Sequence, residues 1–266
     1  MHIINKIRWR LEKYILDPII NSYLKKRIYQ KNDCENFYTT KDGLNRIYIR
    51  KIFQSMLTNS DMEMLYQKDF DNAYSRGIKN DPINIQQKEL LRYRVYVNTV
   101  ISQLAVNGGG DFCTVGVSWG IVPRTIYQYL YNSDFWNSDR KYFLVDKWEK
   151  ILFASEKNIV QENYCGDIEF VKNEFKEKTF KIIQEYAPKA FEGIKNKISY
   201  LHLNTGDKAA EFETIKLLYE RLTNPGFIII DNYHFSDQED SIDGYLKKKN
   251  NFVLSLGNSQ GIVIKL

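Results

Sequence analysis

A chain of 266 residues with 43% apolar residues, 14 Gly and 5 Pro has the length and hydrophobicity for a sizeable core, which excludes a disordered or low-complexity protein. Its net charge of +5 sits at one end: residues 1–31 hold eight Lys and Arg against only Glu12 and Asp17, and the rest is close to neutral. No apolar run approaches the ~18 residues that span a bilayer, and Cys34, Cys113 and Cys165 are too few and too scattered for a disulfide framework or a cysteine-rich metal site. The N-terminus lacks the apolar centre of a signal peptide, so a cytoplasmic protein with free thiols is expected.

In chain order, Ile4, Ile7, Leu11 and Tyr14 recur at helical spacing inside the basic segment. An amphipathic helix there can pack on its own domain or a dimer mate, or dock on an anionic membrane, a partner or nucleic acid. The pattern stays mostly helical to about Asn107, with turn signals at Asp42-Gly43 and Asn80-Asp81-Pro82. A helical extension over residues 1–84 is therefore expected, followed by a domain over 85–266 that opens on a long helix from Gln86 to Leu104. Strand and helix patterns then alternate, with strands near 111–117, 142–146, 179–184, 198–203 and 226–230. Such alternation predicts right-handed βαβ units, hence a parallel sheet covered by helices on both faces. At the end, Asn251–Leu256 and Gly261–Lys265 flank Gly257-Asn258-Ser259-Gln260, which predicts an antiparallel hairpin. Five parallel strands with that hairpin make a seven-stranded, Rossmann-like α/β sheet, the architecture of class I S-adenosylmethionine-dependent methyltransferases.

The stretch Gly108–Leu130 reads as a buried strand, a glycine turn and a helix. Gly116 and Gly120 let the chain turn sharply and let backbone N–H groups approach a ligand. Pro123 suits a first helical turn. Ligands of open α/β sheets bind at the carboxyl ends of the strands, here Gly116–Gly120, Asp146, Gln184-Glu185, Asn204–Asp207 and Asp231-Asn232. Asp146 can accept from both ribose hydroxyls of an adenosyl ligand, or cap a helix. Trp148 can face an adenine, whereas Phe143 fits the core. Asn204, Asp207, Asp231 and Asn232 place oxygen atoms on one rim, suited to a hard cation such as magnesium. His234, just past Asp231, is the preferred general base. His202, inside an apolar strand, reads as a core histidine.

Several segments together resemble the macrocin O-methyltransferase family: LRYRVYVNTVISQLAVNGGGDFCTVGVSWG, KYFLVDKW, FKIIQEYAPKAFEGI, ISYLHLNTGD, LLYERLTNPGFIIIDNYHF and LSLGNSQGIVIK, covering roughly residues 85–266. The resemblance implies methyl transfer from S-adenosylmethionine to a hydroxyl of a sugar or similar polar acceptor, with magnesium, in a homo-oligomer. Carried over residue by residue, it places Gly116, Gly120 and Asp146 at the cofactor and Asn204, Asp231 and Asn232 at a metal; the strand-end reading adds Thr114, Val117, Trp119, Lys147 and Trp148 to the cofactor site and takes His234 and Asp231 as catalytic. The chain departs from the family pattern at Thr114, where a glutamate is usual, at Glu185, where a glycine is usual, and at Asn204 and Asn232, which replace aspartates. Those departures support a second reading, a weakened relative that binds cofactor or a partner without turnover. A nucleic-acid substrate is not expected, nor is nicotinamide chemistry, since Gly116-Val117-Ser118-Trp119-Gly120 does not fit G-x-G-x-x-G. The basic N-terminal segment is expected to meet a membrane surface or a glycosyltransferase of glycan assembly.

Overall fold

The computed structural model describes residues 36–39, 46–49, 51–53, 56–58, 62–81, 83, 85–149, 167–233 and 238–266. They fall into two compact units, one of Met1–Ile52 with Leu57–Asp61, the other of Phe53–Met56 with Met62–Leu266. In the first unit Asn36–Thr39 pairs antiparallel with Arg46–Ile49, on either side of the Asp42-Gly43 turn signal. Lys51–Phe53 pairs with Met56–Thr58 further along the chain. Strands thus stand where the sequence reading expects helix. Their aromatic and β-branched residues favour the extended chain, and runs of three or four residues are too short for periodicity to tell the two apart. The helix expected within residues 1–31 lies outside the described residues.

The continuous part of the larger unit runs from Met62 to Leu266. After a 3-10 turn at Glu63–Tyr66 come α1 (Lys68–Gly77) and α2 (Ile85–Ala105). Phe70 and Tyr74 of α1 are buried in one cluster with Ile83, Val95 and Ile121, and Leu65 packs with Met62 against Tyr93 and Tyr96. Burying side chains of this size stabilises by about 2 kcal/mol each, which ties α1 to the domain it precedes.

The remaining elements follow the predicted alternation: β1 (Asp111–Val115), α3 (Ile121–Asn132), β2 (Tyr142–Asp146), α4 (Ile168–Glu174), β3 (Phe180–Gln184), β4 (Ile198–Leu203), α5 (Lys208–Leu218), β5 (Leu222–Ile230), α6 (Gln238–Lys248), β6 (Leu254–Ser255) and β7 (Gly261–Lys265). The sheet order is β6-β7-β5-β4-β1-β2-β3. β1 to β5 run parallel, while β7 lies antiparallel to β5 and β6 antiparallel to β7. Helix starts follow capping chemistry: the Asp167 carboxylate accepts from Glu169 N and Phe170 N, and that of Asp207 from Ala210 N.

Side-chain alternation sends each strand's residues to two cores. Cys113, Val115, Phe143, Val145, Leu201, Leu203, Ile228 and Ile230 join one cluster with α5 and α6. Phe112, Tyr142, Leu144, Tyr200, Phe227 and Ile229 join another with Ile126 and Leu130 of α3, with Val97 and Ile101 of α2 at its edge. Thr114 and His202 share the parity of this second face, and β1 and β4 align Thr114 beside His202. Among the described residues no helix is long and apolar enough to cross a membrane. Cys113 is a buried free thiol.

Candidate functional site

Beyond β1 the chain turns back on itself in five residues. Gly116, Ser118 and Gly120 all have left-handed backbone, with φ of 81°, 50° and 79°. A Cβ on Gly116 would stand 2.1 Å from the carbonyl oxygen of Asn204, and one on Gly120 would stand 2.5 Å from the Phe175 ring. Both glycines are therefore required by close approach within the protein. Ser118 has no such licence, and its strained conformation is held because its N–H donates to Asp146 Oδ2 at 2.9 Å. Asp146 Oδ1 accepts from Lys147 N at 2.7 Å. The turn leads into α3, where Pro123 occupies a first-turn position whose N–H has no intrahelical acceptor. Arg124 fastens that helix by donating to Glu174 at 2.6 Å and to the Trp119 carbonyl at 2.8 Å.

The turn walls a cavity of about 120 Å³ at the carboxyl ends of β1, β4 and β5. Thr114, Gly116, Val117, Ser118, Trp119 and Gly120 form one side, His202, Asn204 and Asp231 the floor, and Leu91, Arg94 and Val95 of α2 the other side. The structure thus gathers five of the eight residues expected at the cofactor. Asp146 stands behind the turn as its brace, outside the cavity wall. Lys147 turns away, its ammonium 4.6 Å from the centroid of the Tyr186 ring. Trp148 is buried in the apolar cluster with Val117 and Phe175, its indole N–H donating to the Ser118 carbonyl at 3.4 Å. His234, the expected base, lies outside the described residues.

The floor carries the charge. Asp231, 2% exposed, receives Arg94 Nη1 at 3.2 Å on Oδ2 and Gln260 Nε2 at 2.7 Å on Oδ1. Arg94 Nη2 donates to Asn232 Oδ1 at 3.1 Å, a contact made by a residue with a left-handed φ of 59°. Burial alone would raise the Asp231 pKa, but Arg94, His202 and Gln260 outweigh it and hold the carboxyl at about 2. His202 Nε2 lies 3.3 Å from Asp231 Oδ2, an electrostatic contact without hydrogen-bond alignment, so neither ring nitrogen has a hydrogen-bond partner. A histidine read as a satisfied core residue is buried as expected and unsatisfied instead, on the cavity floor.

Sequence reasoning missed Arg94, Gln260 and Asn258, whose amide donates to Gln260 Oε1 at 2.6 Å. Arg94 lies 137 positions from Asp231 in the chain, and nothing in its helix distinguishes it from a solvated arginine. The neighbouring carboxylates, Asp207 of the expected cation rim and Glu211, are engaged within the protein. Asp207 caps α5 and accepts from the Tyr186 hydroxyl at 3.0 Å, and Glu211 accepts from Thr205 N at 2.7 Å. Among the described residues no group of three His, Cys, Asp or Glu converges as a metal site. The departure at Glu185 is a surface feature, its carboxylate paired with Lys189 at 2.9 Å.

No protein-family model matches the chain, and no curated protein does. Solved structures do match. The O-methyltransferase NovP superposes with a TM-score of 0.57 at 13% identity, covering 76% of this chain and 97% of its own. CalS11, a calicheamicin methyltransferase, gives 0.52 at 10% identity, covering 80% and 96%. The fold is that of the class I methyltransferases. At these identities the likeness speaks for the fold alone. Within a class I methyltransferase fold, the cavity described above sits at the ends of the central strands, where open α/β sheets hold their ligands, and α2 supplies the wall that the sheet itself lacks.

Proposed function

We propose that the protein is an S-adenosylmethionine-dependent methyltransferase acting on a hydroxyl of a sugar or similar polar acceptor, in surface-glycan or natural-product assembly. The observation that carries this reading is the strained Gly116–Gly120 turn, braced by Asp146 and walling a strand-end cavity in a fold shared with the O-methyltransferase NovP and a calicheamicin methyltransferase. When bound, S-adenosylmethionine supplies an electrophilic methyl group on a sulfonium. The chain's own part is to orient the acceptor hydroxyl, keep water out and remove its proton. Leu91, Val95, Val117 and Ile121 give the cavity apolar walls, which exclude water. His234 is the proposed proton acceptor, two residues beyond Asn232. The basic segment over residues 1–31 would bring the enzyme to an anionic membrane or a glycosyltransferase.

Calorimetric titration of the full-length protein with S-adenosylhomocysteine tests the cofactor assignment. Saturable one-to-one binding is expected. Asp146→Asn, which keeps the side-chain volume and one oxygen for a backbone N–H, should weaken it at least tenfold. A wild-type protein that binds no S-adenosylhomocysteine overturns the reading.

One observation favours a second reading, a relative that binds without turnover. Both Asp146 oxygens already accept from backbone N–H groups, so part of the carboxylate's hydrogen-bonding capacity is committed to holding the turn. Binding of S-adenosylhomocysteine without methyl transfer to any of a panel of sugar acceptors would select this alternative.

A further inference from the structure

The residues that the family resemblance assigns to a metal do not fit one. Magnesium requires near-octahedral oxygen ligation, with one or two carboxylates to balance its charge. Asn204 and Asn232 offer neutral amides, and Asp207 and Glu211 are bound to backbone N–H groups of the Thr205–Ala210 segment. That leaves Asp231, whose two oxygens are engaged by Arg94 and Gln260. Arg94 also holds Asn232 Oδ1. A single guanidinium therefore spans two of the three residues a dication would need, and the ion would have to displace a like charge from a side chain only 9% exposed.

We propose that Arg94 is the resident cation of this site: it holds Asp231 and Asn232 in place of a divalent ion and presents its remaining N–H donors to an oxygen of the acceptor. A guanidinium carries five N–H donors in a planar fork, and the contacts to Asp231 and Asn232 use two. Arg94 forms part of the cavity wall, and its Nε–H is buried with no acceptor in the protein. Its place on α2 is fixed from the sheet. The Tyr200 hydroxyl of β4 donates to Asn98 Oδ1 at 2.5 Å, and Asn98 Nδ2 donates to the Arg94 carbonyl at 3.0 Å. An arginine held this way cannot be withdrawn by chelation or by pH in the range where proteins fold. What the cation serves rests on the methyl-transfer reading; its presence in the metal's place does not.

The test reads metal binding directly. Full-length protein is titrated with Mn2+ and the free ion followed by electron paramagnetic resonance. Wild type and Asp231→Asn should leave the same free Mn2+. Arg94→Ala, which uncovers Asp231, should take up at least threefold more, and adding Asp231→Asn to it should abolish the gain. Arg94→Lys, still cationic, should behave as wild type. Stoichiometric uptake by wild type that disappears in Asp231→Asn overturns the proposal without any need for Arg94→Ala to fold. A folded Arg94→Ala that gains nothing overturns it as well, because the guanidinium would then not be what keeps the ion out. Failure of wild type to bind S-adenosylhomocysteine would sink the methyl-transfer reading and leave the Mn2+ results standing.

Discussion

Asp231 shows how a single residue's role is set by its neighbours. A carboxylate 2% exposed is unfavourable alone, and it persists in ionised form because Arg94, His202 and Gln260 surround it. Its folded pKa of about 2 lies below the ordinary 3.8, so it contributes stability above pH ~4 that is lost as pH falls towards about 2. The difference in unfolding free energy between wild type and Asp231→Asn should therefore shrink by about 2 kcal/mol between pH 6 and pH 2. Urea denaturation at both pH values checks it, and a constant difference would mean that the carboxyl is not held ionised. Thr114 and His202 teach a complementary point. Their place on the cavity side follows from strand parity, since they alternate with Cys113, Val115, Leu201 and Leu203. That signal was available in the sequence and outweighs the composition of the strand around His202.

At the scale of the element, the turn after β1 combines a positional requirement with a brace. Gly116 is the tighter of its two glycines, because an added Cβ would meet backbone at Asn204 and Thr205, which cannot rotate aside. Gly116→Ala combines that overlap with a left-handed φ of 81°, and should destabilise by about 3 kcal/mol or more while separating the β1 and β4 ends. Thermal unfolding with parallel S-adenosylhomocysteine titration measures both. Gly109, also left-handed but with open space around it, is the control: Gly109→Ala should leave cofactor affinity within twofold of wild type. The turn's position was legible from the spacing of its glycines. Its reason was not, since the atoms that forbid a side chain belong to β4's end and to Phe175.

Over the whole molecule, α2 crosses the second face of the sheet and brings Arg94 to the strand ends, while Phe70 and Tyr74 of α1 pack in one cluster with its Val95. A chain starting at Met62 should fold cooperatively with a linear urea response. One starting at Ile85, the boundary suggested by sequence pattern, loses Leu65, Phe70 and Tyr74 from the core and should be less stable by several kcal/mol, at about 2 kcal/mol for each buried side chain. Equal stability of the two would place the boundary back at residue 84.

The sequence by itself determined the order of strands and helices from β1 to β7, the terminal hairpin and the positions of the strand ends, because each depends on periodicity and turn residues within a few positions of one another. It placed Thr114, Gly116, Val117, Trp119, Gly120, Asn204 and Asp231 in the neighbourhood of one cavity for the same reason. Only the tertiary structure decided what charge that cavity holds. Arg94 and Gln260 come from the helix before the first strand and from the turn of the terminal hairpin, and their pairing with Asp231 is long-range electrostatics that leaves no local mark in the chain.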